Sequence, residues 1–197
     1  MRISFNIEDM CFKIMDLGVG LGTYSRLDHH GKPLILRSNQ IINVGASILL
    51  VSVADGIDEE TTPALADRTN LPRVVGSAQG RVPLLKLKVI GGPCYGRIFC
   101  RSPFSEQRKH VLGRVDDCDI YLSDQILSKR HCSFQFVWNS SDDITKSDTL
   151  GYWVLRDGFN SPSLNGTWVY LSEDTKITNK MVFKASEILF EATAVNN

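Results

Sequence analysis

Short runs in which hydrophobic and polar residues alternate follow one another through most of the chain. The clearest are residues 84–90, 133–138 and 151–157, which are rich in aliphatic, β-branched and aromatic residues. Such runs are typical of β-strands, and the Gly- and Pro-containing segments between them are typical of turns. The pattern therefore predicts an all-β fold, in which we expect binding residues where strands meet loops.

The chain divides into three stretches. Residues 1–53 contain short apolar runs and glycine turns, and residues 82–197 contain the longer series of predicted strands. Between them, residues 54–81 are acidic at their start and are broken by prolines and glycines, which is typical of a linker. We therefore expect two β-rich parts joined by this linker.

Composition narrows the classes of function. The formal net charge is zero, so we expect neither a nucleic acid nor a membrane surface as partner. No apolar run approaches the about 18 residues of a spanning helix, and the first ten residues lack the apolar core of a signal peptide. The five cysteines include no CxxC pair and the four histidines show no ligand-like spacing. We therefore expect no metal, no cofactor, and reduced thiols in the cytoplasm or nucleus.

Candidate chemistry is concentrated in three separated motifs, each at the edge of a predicted strand. In order, they are Gly113-Arg114, Ser128-Lys129-Arg130-His131-Cys132 and Asn165-Gly166-Thr167. Two arginines and a lysine supply cationic donors, Ser128 supplies a hydroxyl and Asn165 an amide. A phosphorylated side chain carries roughly −1.5 to −2 charges and three strong acceptor oxygens, which such donors would satisfy. Each residue alone is an ordinary loop residue, so the prediction depends on the joint order and spacing.

This order and spacing resemble the forkhead-associated (FHA) domain. The resemblance extends from about Leu84 to about Thr193 and includes the predicted strands between and after the motifs. It implies an FHA-type β-sandwich of two antiparallel sheets, complete within residues 82–197. It also implies that loops at one end of this sandwich bind phosphothreonine peptides.

The resemblance further implies a role for each motif residue. Arg114, Ser128 and Lys129 would capture the phosphate, Asn165 would hold the peptide backbone just after the phosphothreonine, and Gly166 would let that loop turn. The supporting residues would be Gly113, Arg130, His131 and Thr167.

Three of these residues have other interpretations. Arg114 could be only a surface ion-pair partner of Asp116 or Asp117, and Arg130 could flank the phosphate or be merely solvated. His131 could be a general base, although the resemblance gives it a structural role that braces the two neighbouring motif loops. No nucleophile, base and orienting group occur together in the sequence, so we expect no catalytic residue and no enzyme.

The N-terminal stretch repeats part of the later pattern. A shift of 140 positions aligns Ile48-Leu49-Leu50 with Ile188-Leu189-Phe190, and a slightly larger shift aligns Gly22-Thr23-Tyr24 with Gly166-Thr167-Trp168 and brings Asp16 near Asp157. Residues 1–53 are therefore predicted to be a degenerate C-terminal half of a second FHA domain. Leu21 replaces the motif Asn, so we expect this copy not to bind phosphopeptide. An incomplete sandwich leaves open strand edges. Three explanations remain open: the chain is a piece of a longer protein, or this half packs on the second domain, or it packs on another molecule.

The sequence thus predicts phosphothreonine-dependent docking of a protein or peptide, in signalling or assembly. The alternative is a phosphate-independent assembly module, or the regulatory part of a larger signalling protein. Leu164 favours the alternative, because its position is often polar in phosphopeptide-binding FHA domains. The loss of one hydrogen bond there would cost of order 1 kcal/mol.

Overall fold

The computed structural model describes residues 1–55, 83–105, 109–139 and 151–194 of the chain. From position 56 onward, the predicted linker at residues 54–81 lies outside this described part. The described residues form sixteen β-strands and no helix, which confirms the predicted all-β fold class. Within these ranges, no helix long and apolar enough to cross a membrane is present.

Six strands precede the linker. They are β1 (Arg2–Asn6), β2 (Cys11–Met15), β3 (Thr23–Arg26), β4 (Leu34–Ile35), β5 (Ile41–Val44) and β6 (Ser47–Asp55). Ten strands follow it. They are β7 (Pro83–Gly91), β8 (Ile98–Arg101), β9 (Lys109–Gly113), β10 (Ile120–Tyr121), β11 (Cys132–Trp138), β12 (Gly151–Asp157), β13 (Thr167–Tyr170), β14 (Thr175–Lys176), β15 (Val182–Ala185) and β16 (Ile188–Glu191). The three clearest alternating runs of the sequence correspond to β7, β11 and β12.

The strands form three sheets. The largest has eight strands in the order β16-β15-β3-β13-β5-β6-β7-β8, the second has five in the order β10-β9-β11-β12-β4, and the smallest has three in the order β1-β2-β14. Neighbouring strands are antiparallel except for β9 and β10, which are parallel. The eight- and five-stranded sheets contribute to one hydrophobic core, as expected for a sandwich.

Alternation along the strands builds this core. In β7, Leu85, Leu87 and Val89 are fully buried, whereas the lysines between them are not. On the opposite sheet, Phe134 of β11 and Trp153 of β12 are also fully buried. Because successive side chains of a strand point to opposite faces, each strand supplies every second residue to the space between the sheets.

Strands from the two sides of the linker share sheets. β3 and β13 lie side by side, and on its other edge β13 pairs with β5, whereas β3 pairs with β15. The hairpin β5–β6 follows the central strand β3 in sequence but pairs with β13. The hairpin β15–β16 follows the central strand β13 in sequence but pairs with β3. The hairpin β5–β6 continues the sheet to β7, so residues 41–55 close the sandwich that contains β7.

This pairing differs from the expectation that residues 82–197 build a complete sandwich alone. The strand pattern predicts that the hairpin β15–β16 closes that sandwich, but this hairpin lies at the far edge of the eight-stranded sheet, beside β3. The short strands are exchanged in the same way, since β4 pairs with β12 and β14 pairs with β2. The physical reason is that both hairpins offer strand edges that either central strand can accept.

The backbone itself repeats along the chain. Positive φ angles recur 141 positions apart, at Asn39 (69°) and Lys180 (62°) and at Gly45 (57°) and Ser186 (55°). The N–H of Val51 donates to Gln40, and the N–H of Ala192 donates to Met181, each at 2.9 Å. The structural shift at the hairpins is therefore one residue larger than the shift of 140 that aligns the apolar residues.

Candidate functional site

The first motif lies where β9 ends. Gly113 is its last residue, and a side chain at Gly113 would overlap the carbonyl oxygen of Lys129. The absence of a side chain at Gly113 therefore lets the second motif pass directly over the strand. The backbone N–H of Arg114 donates to the carbonyl of Ser128 at 3.3 Å, while its guanidinium is exposed. Among the described residues, this guanidinium has no hydrogen-bond or ion-pair partner.

Ser128 connects the second motif to the loop that carries the third. Its Oγ accepts the backbone N–H of Leu164 at 3.0 Å. A serine hydroxyl also has one proton to donate, and that proton can serve an incoming acceptor. The neighbouring side chain of Lys129 is exposed. One hydroxyl donor and the cations of Arg114 and Lys129 thus belong to one end of the sandwich.

His131 lies beneath these loops and is fully buried. Its Nδ1 accepts the N–H of Ser128 at 3.2 Å, so Nε2 carries the proton that it donates to the carbonyl of Gly166 at 3.1 Å. Burial lowers the pKa of His131, although the Gly166 carbonyl and Asp157 raise it in part. The neutral ring therefore joins the second motif to the third, and both of its nitrogens are hydrogen-bonded within the fold.

Asn165 stands exposed at the tip of the third motif. Its side-chain Nδ2 donates to the backbone carbonyl of Ile126 at 2.7 Å. The backbone carbonyl of Asn165 accepts the indole N–H of Trp168 at 2.8 Å. The side-chain amide has a second N–H and an oxygen that can bond a peptide backbone. Gly166 follows with a φ of 76°, a conformation that favours glycine. The loop at Asn165 is therefore held from two sides.

Arg130 forms the ion pair in this region. Its guanidinium donates to Asp117 at 2.6 Å, and both side chains are about half exposed. The guanidinium also lies over the ring of Phe159 at 5.5 Å from the centroid, and the Nζ of Lys109 lies over the same ring at 4.5 Å. Asp117 therefore pairs with Arg130 and not with Arg114. The sequence pattern carries no signal for Phe159, since one aromatic residue in a loop is common.

Thr167 points into the fold. Its hydroxyl donates to Asp157 at 2.7 Å, and Asp157 also accepts the backbone N–H of Ser163 at 3.1 Å and its hydroxyl at 2.6 Å. All three side chains are buried. Asp157 therefore fixes both ends of the loop that carries Leu164 and Asn165.

A cleft of about 680 Å³ opens beside these motifs. It is lined by residues of three loops: Val115, Asp116, Asp117, Ser128, Lys129, Arg130, Phe159, Asn160, Ser161, Pro162 and Leu164. Arg114 and Asn165 are not among the lining residues. The structure thus brings the three motifs to one end of the sandwich, and it adds a cleft with apolar, acidic and basic walls beside them.

The N-terminal stretch holds part of this end in place. Asp124 is buried and accepts the N–H of Ala46, in the turn before β6, at 2.9 Å and the hydroxyl of Ser47, the first residue of β6, at 3.0 Å. Its other oxygen accepts the N–H of Ile126 at 3.0 Å. Asp124 thereby ties the segment that leads to Ser128 to the exchanged hairpin, a contact that sequence periodicity does not indicate.

The loop between Asp16 and Thr23 in the N-terminal stretch lacks the donor set. Asp16 accepts the hydroxyl of Thr23 at 2.7 Å and that of Tyr170 at 2.6 Å, but Leu21 in the loop between is exposed. Burial acts to raise the pKa of Asp16, and the hydrogen bonds from Tyr170, Thr23 and Gly18 lower it below its usual value. This loop keeps the supporting carboxylate without the residues that would bind a phosphate.

The described histidines, cysteines and acidic residues do not indicate metal binding or thiol chemistry. In the described ranges, no group of three or more His, Cys, Asp or Glu side chains could hold a metal ion. All five cysteines are free thiols, and burial raises the pKa of the Cys132 thiol far above its usual value. Cys132 is therefore a neutral core residue at the start of β11.

Fold and site together define a class of protein, a β-sandwich whose loops at one end carry cationic and hydroxyl donors. The family model of the FHA domain matches residues 110–189, which include all three motifs. This match confirms the FHA domain that the motif order predicts, within residues 110–189. FHA domains are phosphoprotein-interaction modules and are not enzymes. No curated protein and no solved structure matches the chain.

Proposed function

We propose that this protein docks phosphothreonine-containing partners at the loop end formed by Arg114, Ser128, Lys129, Asn165 and Gly166. The observation that carries the proposal is the link between the three motifs. Hydrogen bonds of 3.0 to 3.3 Å join Arg114 to Ser128, Ser128 to Leu164 and His131 to Gly166. The side chains that can donate to a phosphate are thus carried by loops that are hydrogen-bonded to one another.

The phosphate is captured by charge and by donated hydrogen bonds. Arg114 presents a planar guanidinium that can donate two parallel bonds to phosphate oxygens, Lys129 adds a mobile cation, and Ser128 donates its hydroxyl proton. Because Arg114 and Lys129 are exposed, bulk salt screens their attraction for the phosphate. We therefore expect the affinity to fall as the salt concentration rises.

The peptide around the phosphothreonine is read by the third motif and by the cleft. Asn165 bonds the peptide backbone with its second side-chain N–H and its side-chain oxygen, because the first N–H is already bonded to Ile126. The side chain of Leu164 is 84% exposed and lines the cleft, so it offers an apolar contact where a polar residue would offer a hydrogen bond. We expect this exchange to favour partners with an apolar residue near the phosphothreonine.

The experiment is fluorescence-polarisation binding to an oriented phosphothreonine peptide library, with the unphosphorylated peptides as control. Selective binding of phosphorylated peptides, with a preference three residues after the phosphothreonine, would support the proposal. Equal binding of both libraries by folded protein would overturn it. Phosphoserine versions of the best peptides would measure how strongly the site selects threonine.

A second candidate function is phosphate-independent assembly, since the chain exposes Leu21 and Leu164 at the ends of its loops. A natural partner that binds equally well before and after phosphatase treatment would favour it. In either case we place the protein in signalling or assembly, in the cytoplasm or nucleus. The free thiols are compatible with a reducing compartment.

A further inference from the structure

A face of aromatic and aliphatic side chains lies open between the small sheet and the C-terminal hairpin. On the small sheet, Phe5 and Phe12 are 51% and 55% exposed, and their rings are in edge-to-face contact at 5.1 Å. On the hairpin, Ile188 and Phe190 are exposed as well. Phe12 lies on the same face of its strand as Ile14, which is buried in one cluster with Phe183, and Phe190 stacks on Phe183 at 5.1 Å. Large exposed apolar surfaces of this kind usually mark binding sites.

The internal repeat shows what this face corresponds to. In the small sheet, Phe5 pairs across the strands with Phe12, and in the five-stranded sheet Phe136 pairs with Trp153. Trp153 lies 141 positions after Phe12, the shift that relates the two hairpins. Phe136 and Trp153 are only 6% and 0% exposed. The open face is therefore the structural counterpart of the sandwich core, and no strand covers it among the residues that the structure describes.

The repeat also shows the form of that cover. In the complete half, β7 pairs with β6 and places Leu85, Leu87 and Val89 in the core. The counterpart of β6 is β16, which is the last strand of its sheet among the described residues. An equivalent cover would be one extended strand with an aliphatic residue at every second position.

The edge of β16 is ready to accept such a strand. Ala192 exchanges backbone hydrogen bonds with the β15 side, since it receives the N–H of Lys180 at 2.7 Å and donates to Met181 at 2.9 Å. Because antiparallel strands alternate the direction of these groups, Glu191 turns its N–H and C=O to the open edge. An open edge with a free ladder pairs readily with an added strand.

The charge of Glu191 indicates which residues the added strand carries between its aliphatic positions. Glu191 corresponds to Leu50 in the repeat, and Leu50 lies opposite Lys88 of β7. A strand added to β16 in the same register would place a residue directly opposite Glu191, where a lysine forms a cross-strand pair of opposite charge. The sequence of β7, Pro-Leu-Leu-Lys-Leu-Lys-Val-Ile-Gly, meets both the apolar and the charge requirement.

We propose that this open face, formed by Phe5, Phe12, Ile188 and Phe190, binds a β-strand of a separate polypeptide along the edge of β16. The bound strand alternates aliphatic residues, which cover the face, with basic residues, one of which lies opposite Glu191. A second copy of this chain does not supply it from β7, because β7 is paired on one edge with β6 and on the other with β8. The site is independent of the phosphate-binding end.

The test uses a labelled synthetic peptide with the sequence of residues 83–91 and measures its binding to the full chain by fluorescence polarisation. A peptide of the same composition, shuffled so that aliphatic residues no longer alternate, is the control. We expect saturable binding of the first peptide and none of the shuffled one. Absence of binding by folded protein would overturn the proposal.

Variants locate the peptide on the protein. Phe12→Ser and Phe190→Ser each remove a large apolar contact, so we expect roughly tenfold weaker binding or more. Leu189→Ser is the matched control, because Leu189 is also apolar and exposed but lies on the opposite face of the same strand. Equal loss in all three variants, or no loss in any, would contradict the site. No loss in any variant is also the result expected if the peptide displaces β7 from its own place in the sheet. Circular dichroism checks that each variant is folded.

The oligomeric state distinguishes a strand partner from self-association. Light scattering of the chain alone is expected to give a monomer mass at the concentrations used for binding. A dimer that Phe12→Ser dissociates would show that a second copy covers the open face, and the proposal would then be wrong.

Discussion

Asp16 and Asp157 occupy equivalent positions 141 residues apart, and each accepts the hydroxyl of an equivalent threonine at 2.7 Å, Thr23 in one copy and Thr167 in the other. The loop between each aspartate and its threonine differs. The later loop carries Asn165, and the earlier loop carries Leu21 at the corresponding place. The same aspartate–threonine hydrogen bond thus supports one loop that carries the candidate binding residue Asn165 and one loop that does not.

This pair of aspartates predicts two variants with different effects. Asp157→Ala leaves the buried hydroxyls of Ser163 and Thr167 without their acceptor, so we expect the free energy of unfolding to fall by about 3 kcal/mol. The loop of Asn165 loses its anchor, and phosphopeptide affinity should drop several-fold. Asp16→Ala should cost comparable stability with unchanged affinity. Urea unfolding and polarisation binding measure both, and equal affinity of the two variants would refute the assignment.

Arg114 is predicted to be the main phosphate contact. Arg114→Ala removes a charge-assisted donor worth about 1.5–3 kcal/mol, so binding should weaken roughly 10- to 100-fold. The fold should be unaffected, because the side chain is exposed and unpaired within the described residues. Arg37→Ala, another exposed arginine in a turn after β4, is the control. Wild-type affinity of the Arg114 variant would show that the phosphate binds elsewhere.

Arg130 is predicted to contribute much less than Arg114. Its charge is already paired with Asp117 at 2.6 Å, and an exposed pair of this kind is worth about 0–1 kcal/mol. Arg130→Ala should therefore weaken phosphopeptide binding by no more than about threefold. Titration of both arginine variants with the same peptide gives the comparison. A loss as large as that of Arg114→Ala would place Arg130 on the phosphate.

Stability is predicted to fall as the pH is lowered from 7 toward 5. Burial lowers the pKa of His131, and burial together with Arg101 lowers that of His110. The unfolded chain takes up these protons near pH 6.5, whereas the folded chain takes them up only at lower pH. Each histidine therefore removes up to about 1.4 kcal/mol per pH unit between its two pKa values.

Urea unfolding at pH 7.5, 6.5 and 5.5 checks this slope. His110→Phe keeps a ring beside Trp153 and removes one titrating group. The ring centroids of His110 and Trp153 lie 5.8 Å apart. The variant should show a shallower loss of stability with falling pH. A flat or rising stability of the wild type below pH 6.5 would be inconsistent with neutral, buried histidines.

The local features of this protein could be predicted from its sequence. The alternating runs identify β7, β11 and β12, because a strand between two sheets must place every second residue in the core. The motif order identifies the FHA domain and predicts that Arg114, Ser128 and Asn165 meet at one end. These features depend on residues close in sequence or on a pattern that the family preserves.

The partner of each strand could not be predicted in the same way. Ile42 and Phe183 are both buried at equivalent places in the two hairpins, so their apolar pattern fits either central strand equally well. Long-range contacts decide between them, such as the bond from Lys184 to Asn43 at 2.6 Å. The anchoring of the Ser128 loop through Asp124 escaped prediction for the same reason, since its partners lie 77 and 78 positions away.

The most direct test of the phosphate-binding end is a two-dimensional NMR titration of the labelled protein with a phosphothreonine peptide selected from the library. We expect the largest shift changes at the backbone amides of Arg114, Ser128 and Lys129, and at those of residues 164–166. The unphosphorylated peptide should leave these signals in place. Changes confined to the loop at Leu21, or identical changes with both peptides, would contradict the account.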